Sequence, residues 1–538
     1  MTNSQLSAAN KDLRIRLDNL KIARQMSEDA YEERIKELIT EIKNKDAQIL
    51  MLQKYIASRE AAYDRLLLEK SELQKELDKR ADELEQTQDT VASLTARINR
   101  NSGNSSQPPS ADGFKKVIRN NRTASEKKPG GQLGHKGHGL CLSDELIQLI
   151  DSGAIAVEVV EHGNKDEDFV VRYELDIKTT VSIKEHRFHL GEAIPAELNN
   201  PVNYGVDLKS MCTYLSTEGL VAAERVSEFI QDISGGLIAP SKASILSFQK
   251  EASAHLDDEI DAIRESILTA PVINTDETPL KSTQRPTADG VEMEESKGTT
   301  FNIYVRTYSS DDSTLLTVNA HKNSESVKAD NILPQSTQPI VHDHDIKYYK
   351  FGAGKHGECN THIERYLKDI IEITKHCWAA DMAELLFSML EHKNNDLAND
   401  IHSMDEETLK KCSDEYDRII QMGKTENGAL HPKSAIRDQE SNLLDRLEKY
   451  KDNHLLFAYD YTVPFSNNAA ERDLRWIKTQ QKVSGCHRSF EGALVSARLM
   501  SFVKTLKKRK LSVLAAIKDI FNKKAVLAVE TAKPVPEF

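Results

Sequence analysis

The sequence predicts an α/β core with a long helical insertion, preceded by an N-terminal coiled coil and a small β/α region. Three observations predict it. Residues 35–98 hold an unbroken heptad register, residues 271–345 contain short β-rich runs ending in acids, and about a hundred residues of helical pattern separate those runs from a last acid-bearing helix. At roughly 150 residues per domain, 538 residues suffice for three or four domains. The formal charge of −13, from 72 Lys plus Arg against 85 Asp plus Glu, argues on average against a nucleic-acid partner. No stretch approaches a run of about 18 uncharged apolar residues, so no membrane span is expected. The opening MTNSQLSAANKDLRIRL lacks the apolar centre of a secretory signal, and the six cysteines form no CxxC pair. A cytosolic protein with reduced thiols is the simplest expectation.

Residues 1–98 read as a helical, coiled-coil arm. Steps of three and four from Ile35 to Ile98 visit nineteen core positions, of which fourteen are apolar, and no Gly or Pro interrupts them. At about 1.5 Å per residue this helix extends on the order of 95 Å. Leu13, Leu17 and Leu20 are out of register with it, which places a break near residues 21–31. Self-association through the arm is expected, with a hairpin folded back on the body of the chain as the alternative.

Residues 99–140 form a Ser/Pro/Gly linker followed by a basic joint. Between 115 and 136, Lys115, Lys116, Arg119, Arg122, Lys127, Lys128 and Lys136 face one acid, Glu126, for a charge of +6. The glycines at 130, 131, 134, 137 and 139 let backbone amides approach a phosphate. A solvated linker is the plainer reading. His135 and His138 have no further ligands at zinc spacing. Residues 141–204, with apolar–polar alternation over 155–190, predict a small β-rich subdomain, and 205–270 a helical module.

Residues 271–521 predict the α/β domain. PVIN runs into Asp276, FNIYVRTY and STLLTVNA follow, SESVKADNIL is helical in spacing, and QPIVHDHD is a fourth strand ending in Asp343 and Asp345. Strand, strand, strand, helix, strand is the order of a ribonuclease-H-like domain, whose first and fourth strands are neighbours. A helical insertion spans about 362–451, and YTVPFSNNAAERDLRWIK reads as strand, polar turn and helix. Asn467 or Asn468 caps that helix, with Glu471 near its first turn. Three acids from two strands and a helix suit two hard cations, Mg²⁺ or Mn²⁺, about 4 Å apart. One would activate an attacking water or 3′-hydroxyl, and the other would stabilise the leaving oxygen of an in-line phosphoryl displacement. Asp345 is the second choice for the middle acid. Arg472, Arg475, Lys478, Lys482, Arg488 and Arg365 are candidate DNA contacts. From 471 to 510 the net charge is +8, and VKTLKKRK at 503–510 is its densest part. Residues 522–538 read as a tail, and the acidic DGVEMEES at 289–296 as a loop. Cys359 with His362 is weighed as a metal pair and set aside in favour of a helix beside the site. Tyr348 and Tyr349 are read as packing or stacking residues rather than nucleophiles.

The motifs NSSQPPSADG, GGQLGHKGH, YGVDLKSM, TDETPLK, VHDHDIKYY, CNTHIERYL and NNAAERDLR with KVSGCHRS resemble those of the insertion sequence 66 family of Asp-Asp-Glu transposases. The resemblance runs from residue 101 to about 521. It implies cleavage at element ends and strand transfer into target DNA, with the triad on Asp276, Asp343 and Glu471. It also implies element terminal repeats and target DNA as partners, accessory proteins of the same element, and a bacterial, cytoplasmic and nucleoid-associated setting. Relatives often carry a cysteine-rich zinc segment after the basic joint. Here VEHGNKDEDFVVRYELDIKTT has no cysteine, so no zinc is expected. The rival readings are a metal-dependent nuclease that cuts without joining, and a catalytically silent DNA-bridging protein derived from a transposase.

Overall fold

The computed structural model describes residues 3–22, 28–99, 141–160, 162, 170–189, 191–195, 198, 200–287, 292–430 and 434–527. The chain forms two units, one of residues 1–99 with 425–441 and the other of the remaining residues.

In the first unit, α1 (Asn3–Ile22) and α2 (Glu28–Asn99) are separate helices, with the change of register falling between them. They run antiparallel. Asn10 Nδ2 donates to Asp46 at 2.6 Å, and Gln53 Nε2 donates to Asn3 at 3.3 Å. Leu6 and Leu38 are buried. The hairpin that forms is therefore α1 against α2. Farther along α2 the heptad residues Leu66, Leu73, Leu77, Leu84, Val91 and Leu94 are exposed, Leu77 to 63%.

The second unit begins its described part with α3 (Asp144–Asp151), capped by the Ser143 hydroxyl, which accepts from the Leu146 N–H. A β-rich subdomain is expected here, and no strand occurs among the described residues from 152 to 204. Alternation makes a strand only where a second strand and an apolar surface receive it. Ile177 and Ile183 are instead exposed to 89% and 93%. The basic-joint residues Lys115, Lys116, Arg119, Arg122, Lys127, Lys128 and Lys136 lie outside the described residues.

Four helices follow: α4 (Val206–Thr217), α5 (Ala223–Ile233), α6 (Lys242–Ala254) and α7 (Asp257–Thr269). Next come β1 (Ile273–Ser282), β2 (Gln284–Pro286), β3 (Met293–Glu295), β4 (Phe301–Ser309), β5 (Thr314–Asn319), α8 (Ser324–Asp330), β6 (Ile340–His342) and β7 (His356–Glu358). The expected acidic loop at 289–296 contains β3, which pairs with β2 and sets Glu294 against Arg285 at 2.9 Å. The main sheet has the order β5-β4-β1-β6-β7. β1 is antiparallel to β4 and parallel to β6, and β7 adds in parallel beyond β6.

The insertion comprises α9 (Asn360–Thr374), α10 (Cys377–Ala398), α11 (Glu406–Gly428), α12 (Ala435–Lys449), α13 (Lys451–His454) and α14 (Leu456–Tyr459). The run at 461–466, expected as a strand, is a pair of turns. Pro464 cannot donate to a ladder, while Tyr461, Val463 and Phe465 join the insertion core around Trp378, Met382 and Leu447. The chain closes with α15 (Asn468–Ser484), α16 (Phe490–Lys508) and α17 (Val513–Phe521).

Each face of the sheet has its own core. Ile273, Tyr308, Leu315 and Ile340 pack with residues of α4–α7, α16 and α17, so the expected separate helical module shares one core with the sheet. On the other face Leu280, Ile303, Val305 and Leu316 meet Leu474, Ile477, Ala497 and Met500 of α15 and α16. Part of the expected tail belongs to this unit as well. The N–H groups of Val526 and Leu527 donate to the buried carboxylate of Glu259 at 2.7 and 2.8 Å.

The lysine-rich end of α16 is tied partly into the fold. Lys508 donates to Asp473 at 2.9 Å and to the carbonyls of Ser310 and Ser313, and Lys507 pairs with Glu218. Asp473 is a buried acid on α15 that also accepts from Ser309 and Thr314, and it needs a cation beside it.

A second buried charge group lies between β1, β4 and α8. Arg306 is wholly buried and donates to Glu277 at 2.8 Å, to Ser326 at 2.8 Å and to Asp330. Replacing Arg306 with Met leaves Asp330 without its cation. The expected cost is about 3–5 kcal/mol in urea denaturation, the scale for removing one partner of a buried pair.

Candidate active site

The register of β1 decides which acids meet. Side chains alternate along a strand, and Asp276 sits opposite Thr307 while Glu277 sits opposite Arg306. Asp276 therefore shares a face with Leu280, Ile303 and Val305, the face that packs against α15. Glu277 points the other way, into the Arg306 group, where Lys347 and Lys322 also reach it, Lys322 at 3.3 Å. β6, parallel to β1, ends at His342 and delivers Asp343 immediately beyond it. Glu471 lies in the first turn of α15.

Asn467 is the N-cap residue of α15, but its side chain does not cap the helix. Its Nδ2 donates to the Thr275 carbonyl at 2.8 Å, tying the start of α15 to β1 one residue before Asp276. Its backbone N–H donates to Cys359 Sγ at 3.1 Å, and the Asn360 N–H donates to the Phe465 carbonyl. The two ends of the insertion are thus bonded to each other at the site.

Asp276, Asp343 and Glu471 are all half-buried. Burial holds the Asp276 carboxyl well above its ordinary range, the Asp343 charge adds to this, and Glu471 and Glu277 add less; the Glu277 N–H, donating to Asp276 at 2.7 Å, opposes them. Burial also raises Asp343, against the pull of His362, Lys322 and Lys347. Among the described residues no lysine or arginine pairs directly with Asp276, Asp343 or Glu471. The nearest basic group to Glu471 is His362, with Nδ1 3.9 Å from Oε1. His362 is itself held below its usual value by burial, with Glu471 pulling the other way.

Asp345 has a different role. Lys347 donates to it at 2.8 Å and Lys322 lies 3.4 Å away, and burial notwithstanding, these contacts lower its pKa. Glu358, on β7, anchors the other side of the Asp343 loop. It is fully buried, accepts from Tyr349, and lies 2.6 Å from His344 Nδ1, 2.6 Å from Arg446 and 3.2 Å from His454. Tyr349 is thereby committed to Glu358. Sequence reasoning missed Glu358, Lys322, Lys347, Arg446 and the Arg306 group. Only the alternation in VHDHD hinted that His344 points away from Asp343.

Of the candidate DNA contacts, Arg475, Lys478 and Lys482 follow Glu471 at four, seven and eleven residues, so they share its side of α15. Arg475 and Lys482 are exposed, and burial lowers the pKa of Lys478. Arg472 is exposed on the flank of the helix, Arg365 is half-buried near His362, and Arg488 lies beyond the far end of β1, its carbonyl accepting from Thr283.

Residues 202–494, more than half of the chain, match the model of a transposase family, which defines an enzyme acting on DNA in transposition. The chain belongs to the IS66 family of transposases. Residues 57–140 match a family of unknown function, and no curated protein matches. No helix of the described residues is long and apolar enough to cross a membrane.

Crowded acids leave a signature in stability. Asp276 and Asp343 have raised pKa values, so the folded state holds protons that the unfolded state has released. In metal-free protein, stability is therefore full below the ordinary carboxylate pKa of about 4 and falls as pH rises through the raised values. Asp276→Asn should flatten that fall and raise the neutral-pH Tm, as measured by calorimetry between pH 4 and 8.

Proposed function

We propose that the chain is an Asp-Asp-Glu transposase with a ribonuclease-H-like core, in which Asp276, Asp343 and Glu471 direct cleavage at element ends and joining to target DNA. The observation that carries the reading is the convergence of these three acids from β1, the end of β6 and the first turn of α15, with no lysine or arginine paired to them among the described residues. The sheet order, with one antiparallel and one parallel neighbour of β1, supports the same fold assignment. The lysine pairs on Asp345 favour Asp343 as the middle acid.

The donor set fits a hard divalent cation. All three acids offer carboxylate oxygens, and Glu471 Oε1 is buried without a hydrogen-bond partner. Magnesium or manganese, when bound, supplies neutralising charge and lowers the pKa of an attacking oxygen nucleophile. The protein's part is to hold the acids in place: β1 and β6 through the sheet, Glu471 through the Asn467 bond to Thr275, and the Asp343 loop through Glu358. Arg475, Lys478 and Lys482 extend this site along α15 as a track for DNA phosphates, and Arg365 flanks it.

The deciding experiment uses DNA carrying the element's own ends, with Mg²⁺ and a target plasmid. Wild type should cleave and join, and Asp276→Ala should lose both by at least about 10²-fold, the scale of losing one electrostatic stabiliser of a transition state. Equal activity would sink the triad. Cleavage without joining of precut 3′-hydroxyl ends would favour the nuclease reading.

Replacing Arg475 and Lys482 with Ala should weaken binding to any DNA sequence. The slope of log affinity against log salt should fall by about 0.9 for each phosphate the variant no longer neutralises, as measured by filter binding over a salt series.

For the arm we propose a second copy of the chain as partner. The exposed heptad residues from Leu66 to Leu94 form an apolar seam of the kind that coiled-coil pairing buries. Leu73→Glu with Leu77→Glu should reduce the sedimenting mass to that of a single chain. An unchanged mass would remove the arm from the interface.

A further inference from the structure

The spacing of Cys359 and His362 offers only two metal ligands, and the fold supplies a third from 112 residues farther along the chain. Cys359 is the N-cap of α9, His362 lies in that helix's first turn, and Glu471 lies in the first turn of α15. The sulfur, an imidazole nitrogen and a carboxylate oxygen all lie within 4.8 Å of one another. His362 Nδ1 and Glu471 Oε1, at 3.9 Å, are too far apart for a hydrogen bond. Both atoms are buried and have no hydrogen-bond partner. Two polar atoms left unsatisfied side by side are uncommon in a protein interior, and an ion accepted between them resolves both. The sulfur is also fixed, because the Asn467 N–H donates to it at 3.1 Å, the type of supporting bond that orients metal ligands.

We infer that Cys359, His362 and Glu471 form a site for a thiophilic divalent cation, with zinc as the natural occupant and cobalt as its spectroscopic substitute. One thiolate, one imidazole and one carboxylate with a fourth position open is a zinc-type donor set and a poor one for magnesium. The site differs from the all-oxygen set of Asp276 and Asp343 but shares Glu471 with it. Zinc at this position withdraws Glu471 from the catalytic acids and blocks magnesium-supported cleavage. That consequence rests on the reading of Glu471 proposed above, whereas the site itself does not.

The test is cobalt titration of the full-length, reduced, metal-free protein, following the thiolate-to-cobalt charge-transfer absorption. Wild type should develop the band. Cys359→Ser should lose it, while Cys141→Ser and Cys377→Ser, at exposed thiols, keep it. His362→Gln and Glu471→Gln retain the thiol and should weaken cobalt binding at least about tenfold, which guards against misfolding of the Cys359 variant. Asp276→Ala should keep the band, so its cleavage assay tests the triad independently of this site. Wild type without the band, or Cys359→Ser with it, overturns the site. In the cleavage assay, micromolar zinc should inhibit wild type and inhibit Cys359→Ser at least about tenfold less. Equal inhibition of the two overturns the shared use of Glu471.

Discussion

Adjacent residues of β1, Asp276 and Glu277, leave the strand on opposite faces of the sheet, and much of the domain is arranged around the contrast between them. Glu277 is surrounded by cations: Arg306 across the ladder, and Lys347 and Lys322 from the segments on either side of β6. Asp276 meets further acids instead. A buried carboxylate is costly unless it is paired, so a protein that pairs one and leaves its neighbour unpaired has kept the neighbour available. The strand's pleat separates the two environments. A one-residue register slip would exchange them and place Asp276 against Arg306.

The same division of labour recurs at each boundary of the site. Asp343 is half-buried beside Asp276, while two residues later Asp345 is held by two lysines. His344, between them, turns to Glu358 on β7. Glu471 starts α15 with an oxygen free, and two residues on Asp473 is taken up by Ser309, Thr314 and Lys508. Each acid of the site thus has a satisfied acid close by in sequence that fastens its segment. The satisfied acids give rigidity, and the unsatisfied ones are left open to a ligand.

What could be read from the sequence followed local pattern. The helices from 206 to 269, the strands around Asp276 and across 301–319, the helical insertion and the α15 start are all set by periodicity and turn residues within a few positions. What could not be read depended on partners far along the chain. The alternation at 155–190 resembled strands, but no described segment pairs with it. Tyr461 and Val463 looked like strand residues because apolar alternation does not distinguish a ladder from a loop packed on helices. The basic run at 503–510 looked like a DNA surface because its buried counter-charge, Asp473, lies thirty-odd residues away on another helix. Cys359 and His362 looked incomplete for the same reason: their neighbour Glu471 is remote in sequence.

The bonds that close the base of the insertion bear on how its length can change. Asn360 bonds to Phe465 and Cys359 to Asn467, so a segment of about a hundred residues leaves and re-enters the sheet domain through one small gate. Its interior packs around Trp378 and Tyr416, in a core that also takes in Val272 and Val341 from the sheet. A change in the length of the inserted helices is therefore absorbed only where it spares α12 and α13, because Arg446 and His454 hold Glu358 on β7 and with it the Asp343 loop.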